Sequence, residues 1–237
     1  IRASPKALAE LAEMNSRSIN QNPITWKKQD KSLIKICSLN CMNQSNNYDD
    51  ILYDQTLKES TLLALSETWL DQKTTFNING YKTHYNSIGH GKGLALYYKS
   101  EIFKSGPEIK EDKMQISKLQ SAEVEVIIVY RSEQGNLTNL AEHLKKLINP
   151  DVNTVVTGDF NICYVANRNN KVTKYLENDG FSQLVNEPTH MKGRHLDHLY
   201  FRQGSKPVQV PFLYRYSPYY SDQDAICATI KILETDI

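Results

Sequence analysis

The sequence predicts a four-layered αββα sandwich, in which two mixed β-sheets pack face to face and helices cover their outer sides. Strand-like apolar runs alternate with helix-like segments along most of the 237 residues. Strands dominate, and many are joined by short connections, which favours two packed sheets over one parallel sheet. A chain of this length can bury a large core, so we expect one domain of catalytic size.

Eight runs have the composition of β-strands, because they are rich in β-branched or aromatic residues and are bounded by Gly, Asn, Asp or Pro. In chain order they are LIKICSLN, TLLALSE, YKTHYN, GLALYYK, VEVIIVYRS, NTVVTGDFN, HLDHLYF and DAICATIKI. Two further segments are predicted to be helical. LTNLAEHLKKLIN repeats leucine with a helical period, and KVTKYLENDG ends on Gly180, a residue that commonly terminates helices.

The first 32 residues differ in character from the rest of the chain. They are polar, contain Pro5 and Pro23, and carry six Lys or Arg against three Asp or Glu. We predict a tail or linker over residues 1–32 and one folded domain over residues 33–237. The chain has neither a run of about 18 apolar residues nor a signal-peptide pattern, so we expect an intracellular protein that does not enter a membrane.

Cysteine spacing and net charge exclude few functions. Cys37, Cys41, Cys163 and Cys227 match neither a zinc ribbon nor a disulfide framework, so we expect buried free thiols. The formal net charge of +1 is too even to predict a nucleic-acid-binding protein, although a local basic surface is compatible with it. Composition therefore does not identify the binding partner of the protein.

Several predicted strands carry acids or amides at an end, where a core strand would simply turn. Taken singly, each such residue has a structural explanation as a helix cap, a turn residue or a surface ion-pair partner. Taken together, they offer the hard oxygen ligands and neutral donors that Mg²⁺ and a phosphate group require. Strand ends at one edge of a sheet can form a pocket. The residues are Asn40, Glu67, Asp159, Asn161, Asp197 and Asp222.

Six motifs occur in the order and spacing of a known superfamily. They are SLN, SETWL, VYRS, GDFN, LDHLYF and YYSDQDAI. Over about residues 33–232 the chain resembles the exonuclease–endonuclease–phosphatase superfamily, which includes abasic-site endonucleases, sphingomyelinases and inositol polyphosphate phosphatases. Within it, SETWL, the GKGLALYYK strand and the compact length are most similar to endonuclease domains of mobile elements, both LINE-type retrotransposons and helicase-bearing elements.

The resemblance implies a role for each matching residue. Glu67 is the expected principal Mg²⁺ ligand, supported by Asn40 and Asp222, and Mn²⁺ is an expected substitute ion. Asp159 is expected to orient or deprotonate the attacking water, and Asn161 to hold a phosphate oxygen. Phosphodiester hydrolysis needs these parts: an in-line nucleophile, a Lewis acid and donors around the phosphate oxygens.

Three more residues are expected to contact the nucleic acid. Tyr130, at the end of the VIIVY run, would contact the phosphate or assist the leaving group, and Arg131 would be a phosphate partner. For both, a purely structural role is equally open. Lys92, beside GLALYY, would touch the nucleic-acid backbone, although lysines at strand ends are common on protein surfaces.

The chain departs from the superfamily within YYSDQDAI. Members end in Ser-Asp-His, and that His pairs with an Asp of the preceding strand and donates to the scissile phosphate. Here Gln223 holds the position, whereas the partner Asp197 remains. A Gln amide can donate a hydrogen bond but cannot carry a proton or a charge near pH 7. We therefore expect turnover to be lower by about 10²–10⁴-fold, with binding affected less.

Another histidine could substitute for the missing one. On a strand, His195 would share the face of Asp197, whereas His198 would point to the opposite face. His195 is therefore the candidate that the sequence predicts.

The leading hypothesis is a Mg²⁺-dependent endonuclease that nicks DNA, in preference to RNA, as a monomeric domain of a mobile-element protein. Such a protein would act in the nucleus, and Gln223 would impair it. Two alternatives stay open: a catalytically inactive nucleic-acid-binding module, and a phosphatase of the same superfamily. The clustered carboxylates disfavour the binding module, because without a metal they would repel phosphate.

Overall fold

The structure is a computed structural model that describes residues 32–70, 74–87, 93–209 and 211–233. Within these ranges the chain forms twelve β-strands and four helices, and the strands build two six-stranded mixed sheets. The predicted tail over residues 1–32 lies, apart from Ser32, outside the described residues and stays a prediction. In the described part of the chain, no helix has the length and apolar character needed to cross a membrane.

Sheet A contains the strands from both ends of the folded region. Its strands are β1 (Leu33–Asn40), β2 (Leu62–Ser66), β3 (Lys82–Asn86), β4 (Leu94–Tyr98), β11 (Phe212–Tyr216) and β12 (Ala225–Lys231). Their order across the sheet is β11-β12-β1-β2-β4-β3. β1 and β2 run parallel, and the other neighbours run antiparallel.

Sheet B is built from the middle of the chain. Its strands are β5 (Lys104–Glu111), β6 (Met114–Gln120), β7 (Val124–Arg131), β8 (Asn153–Asp159), β9 (Ser182–Gln183) and β10 (Asp197–Arg202). Their order is β5-β6-β7-β8-β10-β9. The one parallel pair among these described strands is β7 and β8, so each sheet contains a single parallel pair.

Helices cover the outer face of each sheet. They are α1 (Gln44–Tyr53) and α2 (Gln55–Lys58) on sheet A, and α3 (Leu137–Leu147) and α4 (Lys171–Asn178) on sheet B. Each helix begins at an Asn or Asp whose side chain accepts a hydrogen bond from a backbone N–H of the first turn, which is the usual N-cap interaction. These caps are Asn43, Asp54, Asn136 and Asn170.

Three clusters of buried hydrophobic side chains fill the spaces between the four layers. The central cluster joins the inner faces of the two sheets and includes Ile36 and Leu199. A second packs α3 and α4 onto sheet B, and a third packs α1 and α2 onto sheet A. The predicted αββα sandwich is therefore confirmed.

All eight predicted strands and both predicted helices form, with ends within two residues of the prediction. The sequence analysis missed β5, β6, β9, β11, α1 and α2. β6 was not recognised as a strand because a lysine lies within it. Lys118 is buried there against Glu125 at 2.6 Å and also donates to the carbonyl of Leu147. The charge looks like a surface signal in sequence, but the partner that neutralises it comes from the neighbouring strand β7.

The prediction of four free thiols is wrong for two of the cysteines. Cys37 and Cys227 face each other directly in the antiparallel pairing of β1 with β12, and they form a disulfide with a Cα–Cα distance of 4.2 Å. Their 190-residue separation hides this pairing in the sequence, because the sheet register alone makes them neighbours. Cys41 and Cys163 are free.

Candidate active site

One end of the sandwich gathers the polar residues that the sequence analysis singled out. Parallel pairing places Asn40 opposite Ser66, so the segment carrying Glu67 follows directly beside it. In sheet B, Asp159 lies opposite both Tyr130 and Asp197. The polar residues therefore come from the carboxyl ends of β1, β2, β7 and β8, and from the start of β10.

Asp159 is the centre of a buried hydrogen-bond network. Its Oδ2 accepts from Nδ2 of Asn40 at 2.8 Å, which links sheet B to sheet A. Its Oδ1 accepts from the backbone N–H of Asn161 at 2.9 Å. The side-chain amide of Asn161 in turn donates to the carbonyl of Arg131 at 2.9 Å. Both carboxylate oxygens are therefore fixed in direction before any substrate binds.

Glu67 lies partly buried between the two sheets. Burial raises the pKa of its carboxyl group, a hydrogen bond from the side chain of Asn40 opposes this, and the negative charge of Asp222 raises the pKa further. The hydroxyl of Tyr130 also donates to Glu67. Burial, together with the charges of Glu67 and Asp159, raises the pKa of Tyr130, so this hydroxyl keeps its proton.

The carboxylates at this end of the sandwich repel one another. Burial is the main cause that raises the pKa of Asp159, and the charge of Glu67 adds to it. Burial and then the charge of Asp159 raise the pKa of Asp197 in the same direction. A cation bound among these groups would remove the repulsion.

The donor set fits Mg²⁺ better than a transition metal. Among the residues that the structure describes, no three His, Cys, Asp or Glu side chains form a group that could hold a metal ion. Mg²⁺ does not need such a cage, because it commonly binds through one or two carboxylates and keeps several waters. Glu67 and Asp222 supply two carboxylates, and Asn40 supports Glu67 by donating a hydrogen bond to it from its side-chain amide.

Backbone strain is concentrated around the same residues. In the described ranges, five residues other than glycine have a positive φ, and all five follow β1, β2 or β8: Met42, Asn43, Glu67, Trp69 and Asn161. Such conformations cost about 1–3 kcal/mol each and cluster at functional sites. Gly158 has φ +133°, and a Cβ there would collide with the carbonyl oxygen of Val129. Only glycine therefore lets β8 approach β7 just before Asp159.

Gln223 occupies a buried position at this end of sheet A. Its backbone N–H donates to Oγ of Ser221 at 3.0 Å, and it forms an isolated bridge with His190. Its side-chain oxygen is buried and has no hydrogen-bond partner among the described residues. Asp197 is held instead by the hydroxyl of Thr189, which donates to Oδ2 at 2.7 Å.

The expectation that His195 shares a face with Asp197 is wrong. β10 begins at Asp197, so the alternation of side chains along the strand does not reach back to His195. The ring of His195 lies 5.6 Å from that of His198 and 5.4 Å from that of Tyr164. His198 stacks on Phe160 in the outer core of sheet B, so His195 lies on the side away from Asp197.

The buried ring of His198 predicts a pH-dependent stability. Burial lowers its pKa from the ordinary 6.5 to about 3. Because the unfolded chain binds a proton below 6.5 and the folded chain does not, stability is lost as the pH falls from 6.5 towards 3. We expect the unfolding free energy of His198→Phe, measured with urea at pH 7.5 and pH 5, to depend less on pH.

Of the predicted nucleic-acid contacts, Arg131 lies within the described residues. Arg131 is 5% exposed, and its guanidinium donates to the carbonyl of Ser132. Successive residues of a strand point to opposite faces, so Tyr130 faces the carboxylates and Arg131 faces away. Arg131 is thus largely covered, although it is close enough to Asp159 for its charge to lower the pKa of that carboxyl group, and its contact with a phosphate stays a prediction. Lys92 lies outside the described residues, and its contact stays a prediction.

The sequence analysis missed the segment that closes the site beside Gln223. His190 and Thr189 belong to a loop before β10, and only the fold brings them against residues 222–224. Neither the period nor the spacing of PTHMKGRH carries a signal for this contact.

Comparison with known proteins identifies a family. A family model described as the Endonuclease/Exonuclease/phosphatase family matches residues 15–222. No curated protein matches the sequence. Among solved structures, the endonuclease domain of TRAS1, a telomere-specific non-LTR retrotransposon, has a TM-score of 0.62 at 11% identity, over 85% of this chain and 100% of that chain.

Two further structures are similar to the chain. An AP endonuclease from Archaeoglobus fulgidus has a TM-score of 0.62 at 14% identity, over 82% of this chain and 98% of that chain. The 3′ phosphatase NExo from Neisseria, bound to a product DNA hairpin, has a TM-score of 0.61 at 16% identity, over 82% of this chain and 98% of that chain. At identities this low, the structural similarity shows that the fold is shared.

The family match extends over most of the chain, and the fold is shared with a mobile-element endonuclease domain and an AP endonuclease. The resemblance read from the six motifs is therefore confirmed. The chain belongs to the Endonuclease/Exonuclease/phosphatase family.

Proposed function

We propose that this chain is a Mg²⁺-dependent phosphodiester hydrolase that nicks DNA as the endonuclease domain of a mobile-element protein. One observation supports this most directly: Asn40 bridges Glu67 of one sheet and Asp159 of the other. A carboxylate suited to a metal and a carboxylate suited to a water molecule are thus held side by side. Within the proposal, the domain is monomeric and acts in the nucleus.

The metal would be held by Glu67 and Asp222, with Asn40 in support. When bound, Mg²⁺ supplies a Lewis acid that stabilises charge developing on the phosphate oxygens. Asp159 orients the attacking water, because both of its oxygens are already fixed by hydrogen bonds from Asn40 and Asn161.

Two neutral groups complete the site. The side-chain nitrogen of Asn161 uses one hydrogen for the carbonyl of Arg131, which leaves the second for a phosphate oxygen. The hydroxyl of Tyr130 keeps its proton but has only this one hydrogen, so it can donate to a phosphate oxygen only by turning away from Glu67. Gln223 adds no proton-transfer group, and we therefore propose that the chain turns over slowly.

Nucleic acid is the proposed substrate class, with DNA ahead of RNA. A solved neighbour, TDP2 from D. rerio, is complexed with a single-strand DNA product, and NExo is bound to a DNA hairpin. NExo is a 3′ phosphatase, so phosphomonoester hydrolysis is the second candidate activity.

The test is nicking of supercoiled plasmid by the purified chain, with Mg²⁺ and with EDTA. We expect slow conversion to nicked circles with Mg²⁺ and none with EDTA. An RNA hairpin and a small phosphomonoester are assayed in parallel, and faster hydrolysis of either would replace DNA nicking as the activity. Metal-independent DNA binding without cleavage, by this chain and by its Gln223→His variant, would instead support a binding module.

A further inference from the structure

His190 lies against the two residues that follow Ser221 in the site. It is 7% exposed, and its backbone pairs with that of Gln223. On either side, the N–H of Met191 donates to the carbonyl of Asp222 at 3.0 Å, and the N–H of Asp224 donates to the carbonyl of Thr189 at 2.7 Å. The backbone of this loop therefore holds the Asp222 segment in register.

The ring of His190 is fixed in orientation. Its Nδ1 accepts from the backbone N–H of Lys192 at 3.0 Å, so Nδ1 carries no hydrogen and the ring proton is on Nε2. That Nε2 lies 3.3 Å from Oδ2 of Asp222. Arg194 Nη2 lies 3.4 Å from the same nitrogen in hydrogen-bonding geometry. Since Arg194 is itself a donor, the carboxylate of Asp222 is the nearby group that can accept the hydrogen of Nε2 in this tautomer.

We propose that His190 is a positioning residue for Asp222: its Nε2–H holds one carboxylate oxygen and leaves the other turned towards Glu67 and the metal. This inference rests on the proposed function, in which Asp222 is a metal ligand. Partners that hold a ligating carboxylate typically contribute about 10–100-fold to metal affinity. His190 acts through Asp222 and needs no contact with the substrate.

The direct test is Mn²⁺ binding by the purified protein, followed by the electron paramagnetic resonance signal of free Mn²⁺, without nucleic acid. His190→Ala is expected to weaken Mn²⁺ binding by about 10–100-fold. His190→Gln should restore most of the affinity, because its amide nitrogen reaches the place of Nε2. His190→Asn, whose amide ends nearer the place of Nδ1, should not. The Mg²⁺ concentration for half-maximal nicking should shift in the same order.

His143→Ala is the matched control. His143 also contacts a carboxylate through Nε2, at 2.7 Å from Glu111, but on the strand β5 and away from the site. Its loss should leave Mn²⁺ affinity unchanged. Equal Mn²⁺ affinities of the original chain and the His190 variants would overturn the inference and leave the proposed function intact. Equal affinities of the Gln and Asn variants would overturn it even if the Ala variant fails to fold. No Mn²⁺ binding by the original chain would overturn both.

Discussion

Glu67→Gln is expected to reduce the Mg²⁺-dependent nicking rate by about 10³-fold or more, because a Lewis acid contributes several kcal/mol to the transition state and each 1.36 kcal/mol is tenfold in rate. The substitution keeps the size of the side chain and its place between Asn40 and Tyr130. It removes the negative charge that would attract the ion. The loss should therefore appear as chemistry rather than as misfolding.

The measurement is the initial rate of plasmid nicking across a Mg²⁺ titration, together with Tm to confirm folding. Glu101→Gln, an exposed glutamate in the turn after β4, is the control and should nick at the original rate. Burial and the charge of Asp222 raise the pKa of Glu67, so a neutral amide in its place should fit without loss of stability. A Glu67→Gln variant that nicks normally would remove Glu67 from the metal site.

Gln223→His is expected to raise the nicking rate by about 10²–10⁴-fold, the usual contribution of a positioned acid–base group. The position is 7% exposed, and its side-chain oxygen lacks a hydrogen-bond partner in the described part of the chain. Nearby carboxylates repel each other, since burial and the charge of Asp159 raise the pKa of Asp197. An imidazole there adds a group that can carry both a proton and a positive charge.

The partner of the restored histidine is tested in the same experiment. Adding Asp197→Asn to Gln223→His should remove most of the gain, whereas Asp197→Asn in the original chain should have a smaller effect. Gln203→His, at an exposed position after β10, is the control and should leave the rate unchanged. Equal nicking by the original chain and the Gln223→His variant would mean that another group performs the step.

The two predictions separate binding from turnover. Glu67→Gln is expected to change the dependence on Mg²⁺, whereas Gln223→His is expected to change the rate at saturating Mg²⁺. If the original chain, Glu67→Gln and Gln223→His bind DNA with equal affinity, Gln223 limits cleavage rather than binding.

Local patterns in the sequence determined much of the fold. The eight predicted strands and two predicted helices form because alternation, helical period and bounding turn residues act over a few neighbours. The same patterns placed Asn40, Glu67 and Asp159 at strand ends. In the structure, parallel pairing of β1 with β2 and of β7 with β8 brings such ends together within each sheet.

Long-range pairing decided what the sequence could not. Lys118 is buried because Glu125 faces it from the next strand, and Cys37 meets Cys227 because β12 pairs with β1. His190 lies in a loop whose sequence has no strand or helix period. It lies beside Asp222 because its backbone pairs with that of Gln223. In each case the deciding contact joins residues far apart in the chain or in irregular structure. Such contacts depend on sheet register and loop closure, which only the tertiary structure sets.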